Sequence, residues 1–223
     1  TRYTSEGGWY ECDKIRFRQG TPEKIGGWQR ISATTFQGVC RSLWNWVTLG
    51  SANLLGVGTN LKFYIENGGQ YNDITPLRAT VTLTNPFETT SGSPIVTVTD
   101  AAGGFKDGDF VTFSGATAIG GLTLNGEFEI SFTEAVNEYA ISASANASSS
   151  ATGGGTVTAA YQINVGTALA VPVTGWGASA WGFGQWGVGE TSVESIRLWT
   201  QSNFGEDLIF GPRGGNIYYW DAS

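Results

Sequence analysis

Along most of this chain, apolar and polar residues alternate in short runs, and sustained helical periodicity is almost absent. Glycine pairs punctuate the runs at Gly7-Gly8, Gly26-Gly27, Gly68-Gly69, Gly103-Gly104, Gly120-Gly121 and Gly214-Gly215, with a triplet at Gly153-Gly154-Gly155. Positive φ costs little at such places, so each is a natural turn. The pattern predicts an all-β chain of many short strands.

The composition of the runs changes near residue 79 and again near 160. Between them lies a Thr/Ser/Ala/Val-rich stretch with one Lys and no Trp. Its predicted strands are Ala79–Thr84, Ile95–Thr99, Phe110–Phe113, Phe128–Ile130, Tyr139–Ile141 and Thr156–Tyr161. Turns are expected at Asp107-Gly108 and Asn125-Gly126, the second as a hairpin signal. All nine Trp lie outside this stretch, in 9–46 and 176–220. The segment 79–160 therefore reads as an inserted domain, an Ig-like sandwich or small barrel. It divides the chain into 1–78, 79–160 and 161–223.

The flanks resemble each other. Trp46-Val47-Thr48-Leu49 leads through Gly50-Ser51 to Asn53-Leu54-Leu55-Gly56-Val57-Gly58, a turn at Thr59-Asn60, then Leu61-Lys62-Phe63-Tyr64-Ile65. Ile196-Arg197-Leu198-Trp199 leads to Glu206-Asp207-Leu208-Ile209-Phe210-Gly211, a turn at Arg213-Gly214-Gly215, then Asn216-Ile217-Tyr218-Tyr219-Trp220-Asp221. Both read as the meander of a β-propeller blade. At roughly 40–50 residues per blade, the flanks hold about three blades, fewer than a closed propeller needs. The expected fold is thus incomplete β-propeller-like blades with an inserted small β-sandwich or barrel domain, in a chain read as a fragment of a longer protein.

Composition narrows the chemistry. There is no His and no Met, which excludes an imidazole base or a His-ligated metal within this chain. The net charge is −7, divided as +3 over 1–78, −7 over 79–160 and −3 over 161–223. A charge-driven nucleic-acid binder shows a stronger basic patch than the first segment offers. Cys12 and Cys40 are too few for a secreted disulfide scaffold, so two buried free thiols are expected, with one bridge left open. No apolar run approaches the ~18–20 residues of a membrane span, and the start lacks a signal-peptide layout. The expectation is a soluble chain or part of a soluble assembly.

Several segments are candidates for chemistry. Trp176, Trp181 and Trp186 recur every five residues in a Gly-rich loop. Flat indoles suit sugar faces, but this spacing fits neither strand nor helix, and packing at an interface is the preferred reading. Asp100, Asp107 and Asp109 around Gly108 supply hard oxygen ligands, yet match no calcium loop. Glu127 with Glu129, or Glu206 with Asp207, are candidate carboxylate pairs for glycoside hydrolysis, with no cleft evident. Lys14, Arg16 and Arg18 alternate and would share one strand face, facing solvent or an intersubunit partner more readily than DNA. No cofactor and no metal is expected.

Certain stretches go further. Lys14-Ile15-Arg16-Phe17-Arg18-Gln19-Gly20 followed by Glu23-Lys24-Ile25-Gly26-Gly27-Trp28 resembles the N-terminal signature of tail nozzle or tail-hub proteins of short-tailed (podovirus-type) bacteriophages. Gly38-Val39-Cys40-Arg41-Ser42-Leu43, Gly56-Val57-Gly58-Thr59-Asn60-Leu61 and Asp73-Ile74-Thr75-Pro76-Leu77-Arg78 are similar to stretches of that family. So are Asn203-Phe204-Gly205-Glu206-Asp207-Leu208, Pro212-Arg213-Gly214-Gly215 and Tyr218-Tyr219-Trp220-Asp221. Within the insertion, Gly108–Gly115 and Gly120–Glu127 resemble a domain these proteins often carry. The resemblance covers nearly the whole chain and implies a structural virion protein with no enzymatic activity. It implies a ring, usually sixfold, below portal and adaptor, with fibres or spikes attached and DNA passing without sequence-specific binding. The alternative is a carbohydrate-binding tail fibre or adhesin module using the Trp176/Trp181/Trp186 loop.

Overall fold

The computed structural model describes residues 12–27, 29–30, 32–101, 104–135, 137–169 and 196–222. Residues Thr1–Ala33 and Thr34–Ser223 are separate compact units. The described residues are all-β, arranged in four open sheets with no helix, and thus no helix able to cross a membrane.

The first unit holds a hairpin of β1 (Ile15–Arg18) and β2 (Thr21–Lys24). Gln19 and Gly20 turn it, both at positive φ, the geometry that matches the twist of a two-residue hairpin. Arg16 and Arg18 share a face of β1, but Lys14 does not join them. It precedes the strand at φ 57, so the expected three-residue basic face is reduced to two.

The second unit opens with a four-stranded antiparallel meander: β3 (Cys40–Val47), β4 (Asn53–Thr59), β5 (Phe63–Asn67) and β6 (Gln70–Asp73). Strand pairing puts Leu43, Val57, Tyr64 and Asp73 in one row on one face. The other face carries Trp46, Leu54, Gly56, Gly58, Phe63 and Ile65.

The next eight strands form one curled sheet: β7 (Leu77–Thr84), β8 (Phe87–Thr89), β9 (Ile95–Thr99), β10 (Phe110–Ser114), β11 (Gly126–Ala135), β12 (Glu138–Ser142), β13 (Ala151–Gly153) and β14 (Thr156–Gln162). Their order is β13-β8-β9-β12-β11-β10-β14-β7. The paired strands β7 and β14 turn a corner at Asn85-Pro86 and Gly153–Gly155 to continue as the pair β8 and β13. Asn85 clamps that corner: its N–H donates to the Gly155 carbonyl and its Oδ1 accepts from the Gly155 N–H. The sheet therefore folds back over a single core of Phe87, Val96, Val98, Val111, Phe113, Ile130, Tyr139, Ile141, Val157 and Tyr161.

All six strands predicted between 79 and 160 are present. The short β8 and β13, three residues each, lack the length to show alternation. The Asn125-Gly126 hairpin is a correction, because Gly126 begins β11 and a loop over 115–125 precedes it. Asn125 closes that loop with its side chain, which accepts from the Ala116 N–H and donates to the Ala116 carbonyl, each at 2.9 Å. Its loop-closing chemistry mimics a local turn signal.

A three-stranded antiparallel sheet follows: β15 (Trp199–Phe204), β16 (Asp207–Pro212) and β17 (Tyr218–Trp220). It packs on the Gly56/Gly58 face of the first meander. Trp199 lies so close to Gly58 that a Cβ there would sit 2.5 Å from the indole. Gln201 approaches Gly56 in the same way. Phe63 stacks on Phe210 at 4.2 Å and meets Trp199 edge-on at 4.8 Å. Trp46 donates its indole N–H to the Glu206 carbonyl at 2.7 Å, and Trp199 donates to the Thr59 carbonyl at 2.6 Å. Each sheet thus turns its Trp face toward the other, over a core of Trp46, Leu54, Phe63, Ile65, Trp199, Leu208 and Phe210.

Trp199 fills this interface and donates its indole N–H across it, so Trp199→Ala is expected to lose about 3–5 kcal/mol in denaturant unfolding. A loss below 1 kcal/mol would mean the two sheets do not depend on this contact.

Candidate functional site

Three charged side chains of the second unit, Lys62, Asp73 and Glu127, meet where the curled sheet joins the first meander. Lys62 ends the β4–β5 turn, directly before the apolar run Phe63-Tyr64-Ile65. The turn is held by Thr59, whose hydroxyl donates to the Lys62 carbonyl and accepts from the Lys62 N–H. That geometry points the Lys62 side chain into the joint, where only 3% of it stays exposed.

Burying an ammonium is costly unless it is paired and hydrogen-bonded. Lys62 Nζ donates to Asp73 Oδ2 at 2.8 Å and to Glu127 Oε1. It also lies 4.3 Å from the centre of the Phe110 ring, within range of a cation–π contact. Gln162 Nε2 donates to Glu127 Oε2 at 3.0 Å. One cation therefore gathers β6, β10 and β11, with β14 tied in through Gln162.

Asp73 has further support from the Thr75 N–H and hydroxyl. Burial alone would raise its carboxyl, but hydrogen bonds from Lys62 and Thr75 outweigh that and hold it below the ordinary carboxylate value. The nearby Tyr64 hydroxyl is pushed up to about 12, chiefly by burial.

Two further ties flank the lysine. Asn60 donates to the Gly166 carbonyl at 3.1 Å and accepts from the Val39 N–H at 2.7 Å. Arg197 donates to the Asn164 carbonyl, and Asn164 donates to Asp109 Oδ2 at 2.6 Å. Burial lowers the Arg197 guanidinium, opposed by the charge of Asp109. Deeper in the curled sheet, Tyr161 donates to Asp100 Oδ2 at 2.6 Å and meets the Tyr139 hydroxyl at 2.8 Å. Both tyrosine hydroxyls are raised, first by burial.

Several of the carboxylates proposed for chemistry hold structural partners. Glu127 answers Lys62, while Glu129 lies exposed on the same side of β11. Thr123, Asn125, Ser142 and Ser144 line a shallow groove beside the two glutamates. Asp207 accepts from the Ala222 N–H and the Tyr219 hydroxyl, and Glu206 from the Leu49 N–H. Of the calcium candidates, Asp109 is spent on the Lys106 and Val165 N–H groups and Asn164, and Asp100 on Tyr161. Among the described residues no three metal-ligating side chains cluster.

In the first unit, Arg16 forms an ion pair with Glu23 at 3.2 Å, its partner across the hairpin, and Arg18 lies exposed. Cys12 and Cys40 are free thiols, but both are exposed, which corrects the expectation of burial. Cys12 precedes β1 and Cys40 is the first residue of β3, so neither sits in a strand interior. Trp176, Trp181 and Trp186 lie outside the described residues. The sequence reading missed Lys62, Asp73 and Gln162; the signal available was a lone lysine between a turn and an aromatic run.

No family model matches the sequence, and no curated protein matches it. Among solved structures, a partial likeness to a phage phi92 endosialidase has a TM-score of 0.35 and 18% identity. It covers 64% of this chain, which spans 21% of that protein's length. At that score the likeness carries no assignment.

Replacing Lys62 by Met would leave Asp73 and Glu127 facing each other without a cation. Breaking a fully buried pair costs ~3–5 kcal/mol, but these carboxylates are about a third open to water, so about 1–3 kcal/mol is expected. Because folding lowers the Asp73 carboxyl, its contribution is complete above the unfolded value near pH 4 and fades as pH falls through the folded value. Urea unfolding of the intact chain should therefore weaken below about pH 4. In K62M that acid-side loss should shrink, and an unchanged slope would remove Lys62 from the joint.

Proposed function

We propose that this chain is a structural subunit of a short-tailed phage tail, one copy in a nozzle or hub ring through which genome DNA passes and to which fibres attach. The observation that carries this reading is where the family-like stretches fall. Gly56–Leu61 supplies the glycines under Trp199 and Gln201, together with Asn60. Asp73–Arg78 supplies two members of the lysine joint, Asp73 and Thr75, and then leads into β7. Gly120–Glu127 closes a loop through Asn125 and ends on the glutamate that answers Lys62. The stretches that resemble the family thus fall on packing and joinery, which a load-carrying part of an assembly requires.

On this reading the two meanders are propeller-like blades, and the segment 79–160 is an inserted platform mounted on them through Lys62. A chain of net charge −7 suits a conduit, because negative walls repel phosphate and let DNA slide. The location is the virion, with the portal or adaptor above and fibres or spikes outside.

Mass spectrometry and imaging of the native particle test this reading. The expected result is several copies arranged as a ring about the tail axis. A protein absent from the particle, or present as an isolated monomer, would overturn it. Glycan capture lost on replacing Trp176, Trp181 and Trp186 would instead favour the adhesin, and capsule turnover lost in Glu127→Gln would favour an enzyme.

A further inference from the structure

An asparagine followed by glycine is open to attack by its own main chain, because glycine puts no Cβ beside the attacking nitrogen. The chain has two such steps, Asn67-Gly68 and Asn125-Gly126, and both asparagines are exposed. Sequence and access to water therefore rank them equally. Their hydrogen bonds do not.

Asn125 is held from both ends of its amide. Its Oδ1 accepts from the Ala116 N–H and its Nδ2 donates to the Ala116 carbonyl, each at 2.9 Å. Turning its Cγ toward the Gly126 nitrogen would open both bonds, and with them the loop they close. Asn67 ends β5, and among the described residues its side-chain amide has no partner. Gly68 and Gly69 make the two-residue turn into β6, at φ 60 and 89, the primed hairpin geometry. Glu66 Oε1 takes the Gly69 N–H at 2.7 Å, while Asn67 pairs with Gln70 across the turn. The Gly68 N–H is left without an acceptor among the described residues. Nothing stands within 4 Å of the place a Gly68 Cβ would take. A free amide thus adjoins a free, unhindered nitrogen at an exposed hairpin tip.

We propose that Asn67 is a site of spontaneous covalent modification, a deamidation from which Asn125 is protected. The Gly68 nitrogen bonds to Asn67 Cγ and closes a five-membered succinimide. The side-chain nitrogen leaves as ammonia, carrying away the proton that Gly68 gives up. Water then opens the ring at one of its two carbonyls. One opening leaves aspartate; the other leaves isoaspartate, with the main chain rerouted through the former side chain. Water is the only co-reactant. Either product sets a new carboxylate next to Glu66 in sequence. The isoaspartyl form also lengthens the main chain at the end of β5, against the Asn67–Gln70 pairing that starts β6. The modification therefore acts on the hairpin that delivers Asp73 to Lys62. It is independent of the tail reading.

Ageing the intact chain at mildly alkaline pH tests the assignment, once folded in buffer and once unfolded in concentrated guanidinium. Peptide mapping by mass spectrometry at intervals follows both asparagines. In guanidinium the two sites should react at similar rates, because the bonds to Ala116 are gone. In the folded chain Asn67 should react about tenfold faster than Asn125 or more, since two hydrogen bonds must open first at the second site. Isoaspartate should be among the products at position 67. Equal rates in the folded chain, or a faster Asn125, would overturn the proposal. An Asn67 that reacts in guanidinium but stays intact in the folded chain would overturn it too, by showing that the hairpin holds the amide away from Gly68.

Discussion

Lys62 carries a full charge into a site with almost no access to water, and the second unit is arranged around answering it. Its ammonium needs acceptors on more than one side, and they come from β6 and β11, with the Phe110 ring of β10 beneath. The curled sheet therefore cannot swing freely about its chain connection to the first meander, between β6 and β7. Moving it would strip Glu127 from the cation and leave a buried charge half-satisfied. The penalty is directional in a way that apolar contact is not, so the joint sets an angle as well as a strength.

Apolar packing does the complementary work on the other side of the meander. Gly56 and Gly58 leave the surface of β4 flat enough for Trp199 and Gln201 to approach its backbone. Phe63, next in sequence to Lys62, stacks on Phe210 across that interface. Two successive residues thus hold two different neighbours, Lys62 the curled sheet and Phe63 the three-stranded sheet. This follows from strand alternation, which sends adjacent side chains to opposite faces. One short turn at Thr59-Asn60-Leu61 positions both.

The same arrangement gives several of the candidate carboxylates a structural partner. Glu127, Asp109, Asp100 and Asp207 each hold a defined partner within the fold. A glycosidase needs one carboxyl free to give a proton and another facing the reacting carbon. Here the groups that burial perturbs are tied to joints and corners. Perturbed titration marks structural networks as readily as active sites, and geometry separates the two.

The amino-acid sequence by itself determined the all-β class, the strands between 79 and 160, and the strand–turn–strand grammar of the two flanks. Those features are local: alternation, β-branched runs and glycine turns act over a few residues. The three-residue strands β8 and β13 were beyond that reading, since they exist through their partners across the bent corner. Asn125 read as a hairpin because a side chain that closes a long loop has the same composition as a tight turn. Lys14 read as part of a strand face, while its positive φ sets it outside β1. Only the tertiary structure decided that Lys62, Asp73, Glu127 and Gln162 meet. They are far apart in sequence, and nothing in their local pattern encodes the distance between them. A buried charge must find its partners wherever the chain brings them, so the joint follows from the packing of the sheets.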